Sequence, residues 1–257
     1  MKPMQVVAIA AAFAALVMIG APVQSSEMDE QIEGTARNSY VFKTYLKGDD
    51  ITIKSRDGVV TLTGTVSGES RSMLAEETVA SLHGVSSVDN KLEIKGERLV
   101  ENSDEWIGAQ VRTVLFFHRS VSGIKTDVSV KDGVVTLRGE ATSQAQRELT
   151  TEYARDVEGV KDVMNEMTVA KTPKTEKASV GDKIDDTSIT AQVKLSMLFH
   201  RSTRVLKTHV ETDNGVVTLT GTARNLAEID LVSKLVNDIN GVAKVNNRMT
   251  IEEPKGK

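Results

Sequence analysis

One eight-residue segment occurs three times in this chain and limits what it can fold into. Asp57-Gly58-Val59-Val60-Thr61-Leu62-Thr63-Gly64 returns as Asp132-Gly133-Val134-Val135-Thr136-Leu137-Arg138-Gly139 and again as Asn214-Gly215-Val216-Val217-Thr218-Leu219-Thr220-Gly221. A Gly-Val pair follows 20 residues after the last Gly of each copy, as Gly84-Val85, Gly159-Val160 and Gly241-Val242. Six residues further on stands an Asn: Asn90, Asn165 and Asn247. Self-similarity at fixed internal spacing marks a repeat array, so three copies of one small unit replace the one or two domains that 257 residues suggest by length alone.

The segment also dictates local structure. Asp-Gly or Asn-Gly between apolar runs is a hairpin turn, because these residues tolerate positive φ. Val128-Ser129-Val130 and Val210-Glu211-Thr212 precede the turn and Val-Val-Thr-Leu follows it, a β-forming composition on both sides. The Gly closing each octamer (Gly64, Gly139, Gly221) is read as the turn into a helix. That helix has an apolar stripe at Leu74, Leu149 and Leu231, then Thr78, Tyr153 and Leu235, then Leu82, Val157 and Ile239. Gly84, Gly159 and Gly241 stand where a helix end favours a left-handed residue, and Gly58, Gly133 and Gly215 are the turn glycines. Val85–Val88, Val160–Val163 and Val242–Val245 lead into a third strand. A further helix precedes each hairpin, with inward positions Ile32, Ala36 and Phe42; Ile107, Val111, Leu115 and Phe117; Ile189, Val193, Met197 and Phe199. The expected fold class is therefore α+β: three tandem small α-β-β-α-β modules, each a three-stranded mixed sheet with two helices on one face. The connection 97–102 is short and holds modules one and two together. The segment 172–182, rich in Lys, Thr and Ser, is a flexible linker that tethers module three.

Residues 1–25 have the pattern of a cleaved signal peptide: Lys2, an Ala-rich apolar run Val6–Gly20, then Val23 and Ser25 before the cut. An uncleaved anchor is the alternative, although the run is short of the roughly 20 residues a membrane span needs. There is no cysteine, hence neither a disulfide framework nor a lipid-attachment site, and the expected location is a periplasm.

The octamer together with the later Gly-Val-x-x-Val-x-Asn segment resembles the BON domain, the family named for bacterial OsmY and nodulation proteins. The resemblance places modules at 28–97, 103–171 and 183–253, with the first copy the most divergent through Lys47-Gly48-Asp49-Asp50. It implies a non-enzymatic protein associated with envelope and osmotic stress that binds phospholipid or membrane surfaces. A chaperone-like or protein-interaction role is the alternative.

The residues themselves bear on chemistry and partners. The net charge of -4 and 4% aromatics argue against nucleic acid. No cofactor motif, nucleophile elbow or metal-ligand cluster is present, and adjacent acids such as Glu76-Glu77 and Asp185-Asp186 do not face each other on a helix. Phe-His-Arg-Ser occurs twice, at 117–120 and 199–202. His118, Arg119, His200 and Arg201 are either an anionic contact patch or solvated helix C-termini. Trp106, the only Trp, matches the polar Gln31 and Ser188 of the other copies, so it is expected to face outward toward lipid or a partner. Packing against a neighbouring module or the linker is its plainer reading. Lys125 and Lys207 complete the candidate contacts for phospholipid headgroups.

Overall fold

The computed structural model describes residues 23–96, 99–121, 123–170, 183–203 and 206–252. The signal segment expected over 1–25 and the linker 172–182 lie outside the described residues, except that Val23–Ser25 open the first helix.

Each octamer forms the same hairpin. Module one runs α1 (Val23–Asn38), a π-helical turn Val41–Tyr45, β1 (Asp50–Arg56), β2 (Val59–Val66), α2 (Glu69–Ala80) and β3 (Ser87–Ile94). Module two runs α3 (Asp104–Phe117), β4 (Thr126–Lys131), β5 (Val134–Ala141), α4 (Gln144–Arg155), β6 (Asp162–Asn165) and β7 (Thr168–Val169). Module three runs α5 (Asp186–Phe199), β8 (Lys207–Asp213), β9 (Val216–Ala223), α6 (Leu226–Asn237), β10 (Lys244–Asn247) and β11 (Thr250–Ile251). The hairpin strands pair antiparallel, and the chain returns through the second helix to pair parallel on the far side of the middle strand. Each sheet is thus three-stranded and mixed, with its third strand interrupted in modules two and three.

The repeated residues have distinct jobs. Asp57-Gly58, Asp132-Gly133 and Asn214-Gly215 all have positive φ, from 50° to 80°, as a two-residue hairpin turn that follows strand twist requires. Gly64, Gly139 and Gly221 do not end their strands. They sit inside β2, β5 and β9, where a Cβ would overlap the carbonyl oxygens of Asp50, Lys125 and Lys207 on the neighbouring strand. The Asn of each module pins its second helix to the third strand. Asn165 donates to Arg147 O at 2.8 Å and Thr151 Oγ1 at 2.7 Å, while its Oδ1 accepts from Met167 N at 2.9 Å. Asn247 repeats this with Ile229, Ser233 and Met249, and Asn90 with Ser72 and Leu92.

Helices cover one face of each sheet. Val60, Leu62, Val135, Leu137, Val217 and Leu219 alternate inward from the middle strands and are fully buried. The helical stripe is buried through Ala75, Val79 and Leu82 and their counterparts Thr150, Ala154 and Val157, and Val232, Val236 and Ile239. Leu231, expected in that stripe, is instead 41% exposed, whereas its equivalent Leu74 is 3% exposed. The position lies at the edge of the helical face, and in module one it lines the space against module two.

Module three is not merely tethered: ten of the 14 residues of α5 are buried, polar Ser188, Gln192 and Ser196 among them. Module one packs across it. Tyr40 N donates to Asp185 Oδ2 at 2.7 Å, Val41 N to Ser188 Oγ at 3.0 Å and Tyr45 Oη to Gln192 Oε1 at 3.0 Å, and Lys194 pairs with Glu77 at 2.9 Å. Small modules bury little core alone, and this docking supplies the rest.

Candidate functional site

The two Phe-His-Arg-Ser segments meet at one place, the junction of modules two and three. Each leaves the C-terminus of its module's first helix and docks on the C-terminal end of the other module's second helix. Arg119 N donates to Asp238 O at 2.9 Å and Asn240 N to Phe117 O at 2.9 Å. Reciprocally, Arg201 N donates to Asp156 O at 2.7 Å and Glu158 N to Phe199 O at 3.4 Å. The Arg119 guanidinium caps the carbonyls of Asn237, Ile239 (3.0 Å) and Val242 (2.7 Å), satisfying helix-end groups that have no partner within α6. Arg201 donates to Arg155 O at 2.8 Å. Ser120 and Ser202 donate to Asp238 and Asp156. The exchange is reciprocal residue for residue, so a local two-fold relates modules two and three.

The two histidines lie where this two-fold passes, 1% and 0% exposed. His118 Nε2 is 3.3 Å from His200 Nε2 and 3.2 Å from Ser196 Oγ. His200 Nδ1 is 3.1 Å from Asp156 Oδ2, and His118 Nδ1 faces Asp238 Oδ2 at 3.4 Å in poorer alignment. Tyr153 stacks on His118 with ring centroids 3.9 Å apart and donates to Asp238 at 2.7 Å. Burial works against ionisation of both aspartates. Hydrogen bonds from His200 and Ser202 to Asp156, and the facing His118 with hydrogen bonds from Ser120 and Tyr153 to Asp238, outweigh it and hold both carboxyls below their usual value. Burial, aided by the facing His200, pulls His118 below the ordinary imidazole value against the attraction of Asp238. Burial and the bond to Asp238 push the Tyr153 hydroxyl up. Neither reading offered for His118 and His200 matches this placement: they are neither a surface patch nor solvated helix ends. Arg119 and Arg201 are exposed in part, but their guanidiniums are engaged across the junction.

Trp106 sits elsewhere. Ser103 caps α3 by accepting from Trp106 N at 3.2 Å, which sets the indole at the mouth of a groove of about 570 Å³ between modules one and two. Its apolar walls include Tyr45, Leu74, Ile94, Leu99 and Phe116, and Lys95, Arg71 and Arg112 supply cations. The indole is half-buried and lines this groove together with Leu99 and residues of module one. Arg71 is held by Asp49 at 2.7 Å and Arg112 donates to Val128 O at 3.1 Å. Gln110, 5% exposed, lines the same groove with its Oε1 lacking a hydrogen-bond partner. Lys125 and Lys207 are exposed at the entry to the first hairpin strands of modules two and three, and neither is among the residues that line this groove. The structure therefore divides the seven candidate contacts among four places: the groove, the junction, and the separate strand entries of Lys125 and Lys207.

Three acids escaped the sequence reading. Asp29, Asp104 and Asp186, in the first helix of each module, accept from both backbone N–H groups of the hairpin turn: Asp57 and Gly58, Asp132 and Gly133, Asn214 and Gly215. Their signal was a constant spacing of 28 residues to the turn. Bonds from Ser55 and from the turn amides of Gly58 and Asp57 hold Asp29 below its usual value.

Known proteins match this architecture. Osmotically-inducible protein Y of Escherichia coli (strain K12) is 34% identical over 146 residues, covering 56% of this chain and 70% of that protein. Outer membrane lipoprotein DolP of Haemophilus influenzae is 30% identical over 162 residues, 63% of this chain and 74% of that protein. A 21 kDa hemolysin of Actinobacillus pleuropneumoniae is 27% identical over 148 residues, 54% and 73% respectively. The BON domain pattern itself matches residues 28–96, 103–171 and 185–253, one match per observed module, and the chain belongs to the BON domain family.

Proposed function

We propose that this chain is a non-enzymatic, exported envelope-stress protein that binds phospholipid surfaces through the rim of the groove between modules one and two. One observation carries the reading. Leu99, 38% exposed, lines the groove with half-buried Trp106, Lys95 and Arg112, and Val100, next to Leu99 in the chain, is 74% exposed. Apolar side chains with an indole and flanking cations are what a headgroup boundary accepts. The names of two relatives, one osmotically inducible and one an outer membrane lipoprotein, support the envelope setting. No helix among the described residues is long and apolar enough to cross a membrane, so contact would be peripheral. Lys125 on module two and Lys207 on module three add cationic points, and several weak contacts on one chain raise avidity.

A protein partner is the second reading, favoured by Gln110. Its counterpart across the two-fold, Gln192, has its Oε1 satisfied by the Tyr45 hydroxyl, so a hydroxyl-bearing side chain entering the groove would complete Gln110 in the same way.

Co-sedimentation with phosphatidylglycerol and phosphatidylcholine vesicles at low salt tests the proposal. Binding to the anionic vesicles that weakens in Val100→Asp supports it; absence from both pellets removes it. Suppression of client aggregation without lipid would favour the second reading.

A further inference from the structure

The geometry at the module two–three junction fixes a proton count. Three close approaches run in series: His200 Nδ1 to Asp156 at 3.1 Å and His200 Nε2 to His118 Nε2 at 3.3 Å are in hydrogen-bond contact, and the otherwise unpartnered His118 Nδ1 stands 3.4 Å from Asp238 Oδ2. With both carboxylates ionised, each contact needs one hydrogen. Two neutral imidazoles bring only two. If both sit on Nδ1, the two Nε2 lone pairs face each other at 3.3 Å. If one moves to Nε2, a bare Nδ1 lone pair faces a carboxylate. Three hydrogens satisfy all three contacts: one on each Nδ1 and one between the two Nε2 atoms. Four would drive two Nε2–H groups head-on.

We propose that His118 and His200 form a buried site for a single extra proton, shared between their Nε2 atoms, and that this proton locks module two to module three. The resulting cation is sealed from water and compensated on both sides. Asp156 at the C-cap of α4 and the Tyr153 hydroxyl on α4 face it, with Asp238 at the C-cap of α6 and the Ser196 hydroxyl on α5. Arg119 and Arg201, on the loops after α3 and α5, are turned to backbone carbonyls beside it and oppose a second positive charge. A second proton breaks the Nε2–Nε2 contact, and the reciprocal backbone bonds of Arg119 and Arg201 then lose the element that aligns them. Acidification thus releases the two modules from each other.

Imidazole-nitrogen NMR of the full chain with isotope-labelled histidine, followed from about pH 8 to about pH 4, reads the count directly. The exposed His83 and His209 give reference signals in the same spectrum. The site predicts both Nδ1 atoms protonated at neutral pH, the two Nε2 atoms sharing one hydrogen, and a second step on acidification. Amide exchange of Arg119 and Arg201 should lose its protection at that second step. Asp156→Asn removes one compensating carboxylate and should move loss of the shared proton lower by about one to three pH units, with Asp156→Glu restoring it. If Asp156→Asn does not fold, the wild-type spectrum still decides. Two neutral histidines throughout the folded range, or Arg119 and Arg201 amides still protected after the second step, would overturn the proposal.

Discussion

Arg119→Ala is the sharpest probe of how modules two and three hold together. The guanidinium donates to three carbonyls at the end of α6, at Asn237, Ile239 and Val242. Buried hydrogen bonds to a charged group contribute about 1.5–3 kcal/mol each. Arg119 is partly exposed, so water replaces much of what is lost, and the sum falls to about 2 kcal/mol. Arg138→Ala is the control. Its partner is Glu166 at 2.8 Å, and both side chains are about half exposed, at 54% and 45%. Such a pair is worth about 0–1 kcal/mol. Urea unfolding gives the two stabilities, and amide exchange at Asn240, which donates across the junction to Phe117 O, localises the change. Arg119→Ala should cost clearly more than Arg138→Ala and expose the Asn240 amide. Equal costs with Asn240 still protected would refute the reasoning.

Other outcomes follow from the same contacts. Ile239→Ala, at a fully buried position just after α6, should cost about 2–5 kcal/mol, while Leu231→Ala, 41% exposed on α6, should stay within about 0.5 kcal/mol, both by urea unfolding. Asp104→Ala orphans two turn amides in module two and should destabilise by about 2 kcal/mol, with exchange rising first at Asp132 and Gly133. Acid should weaken the junction in two stages. A histidine held below the ordinary imidazole value of 6.5 is charged more readily unfolded than folded, so the stability due to His118 is present above 6.5 and declines as pH falls below it. Aspartates held below 3.8 contribute stability above that value, lost as pH falls through their folded values, so Asp156 and Asp238 fail later than His118. A pH series of thermal unfolding checks the order.

The hairpins, the turn glycines and the buried β-branched positions were legible in the sequence because local chemistry dictates them. Asp-Gly specifies a turn whatever surrounds it, and Val-Val-Thr-Leu alternates inward on any covered sheet. Gly139 was misplaced as a strand end because its need for glycine comes from a neighbouring strand, not from its own chain direction. The role of Phe-His-Arg-Ser was hidden for a related reason: its partners, Asp156 and Asp238, belong to the other module in each case. A signal did exist. The first copy lacks the segment and has Ser81 where the other two have Asp156 and Asp238, so segment and acid are present or absent together. Trp106 was read as outward from its polar counterparts Gln31 and Ser188. Ser188 is in fact buried under module one, so polarity at that position reports a hydrogen bond to Val41 N rather than contact with water.

Trp106 is the only tryptophan, so its emission is a direct report on the groove rim. Titrating the full chain with phosphatidylglycerol vesicles should shift that emission to the blue in a saturable way, and added salt should reverse the shift by screening Lys95 and Arg112. Emission that stays unchanged while the protein pellets with the vesicles would contradict membrane contact at this rim.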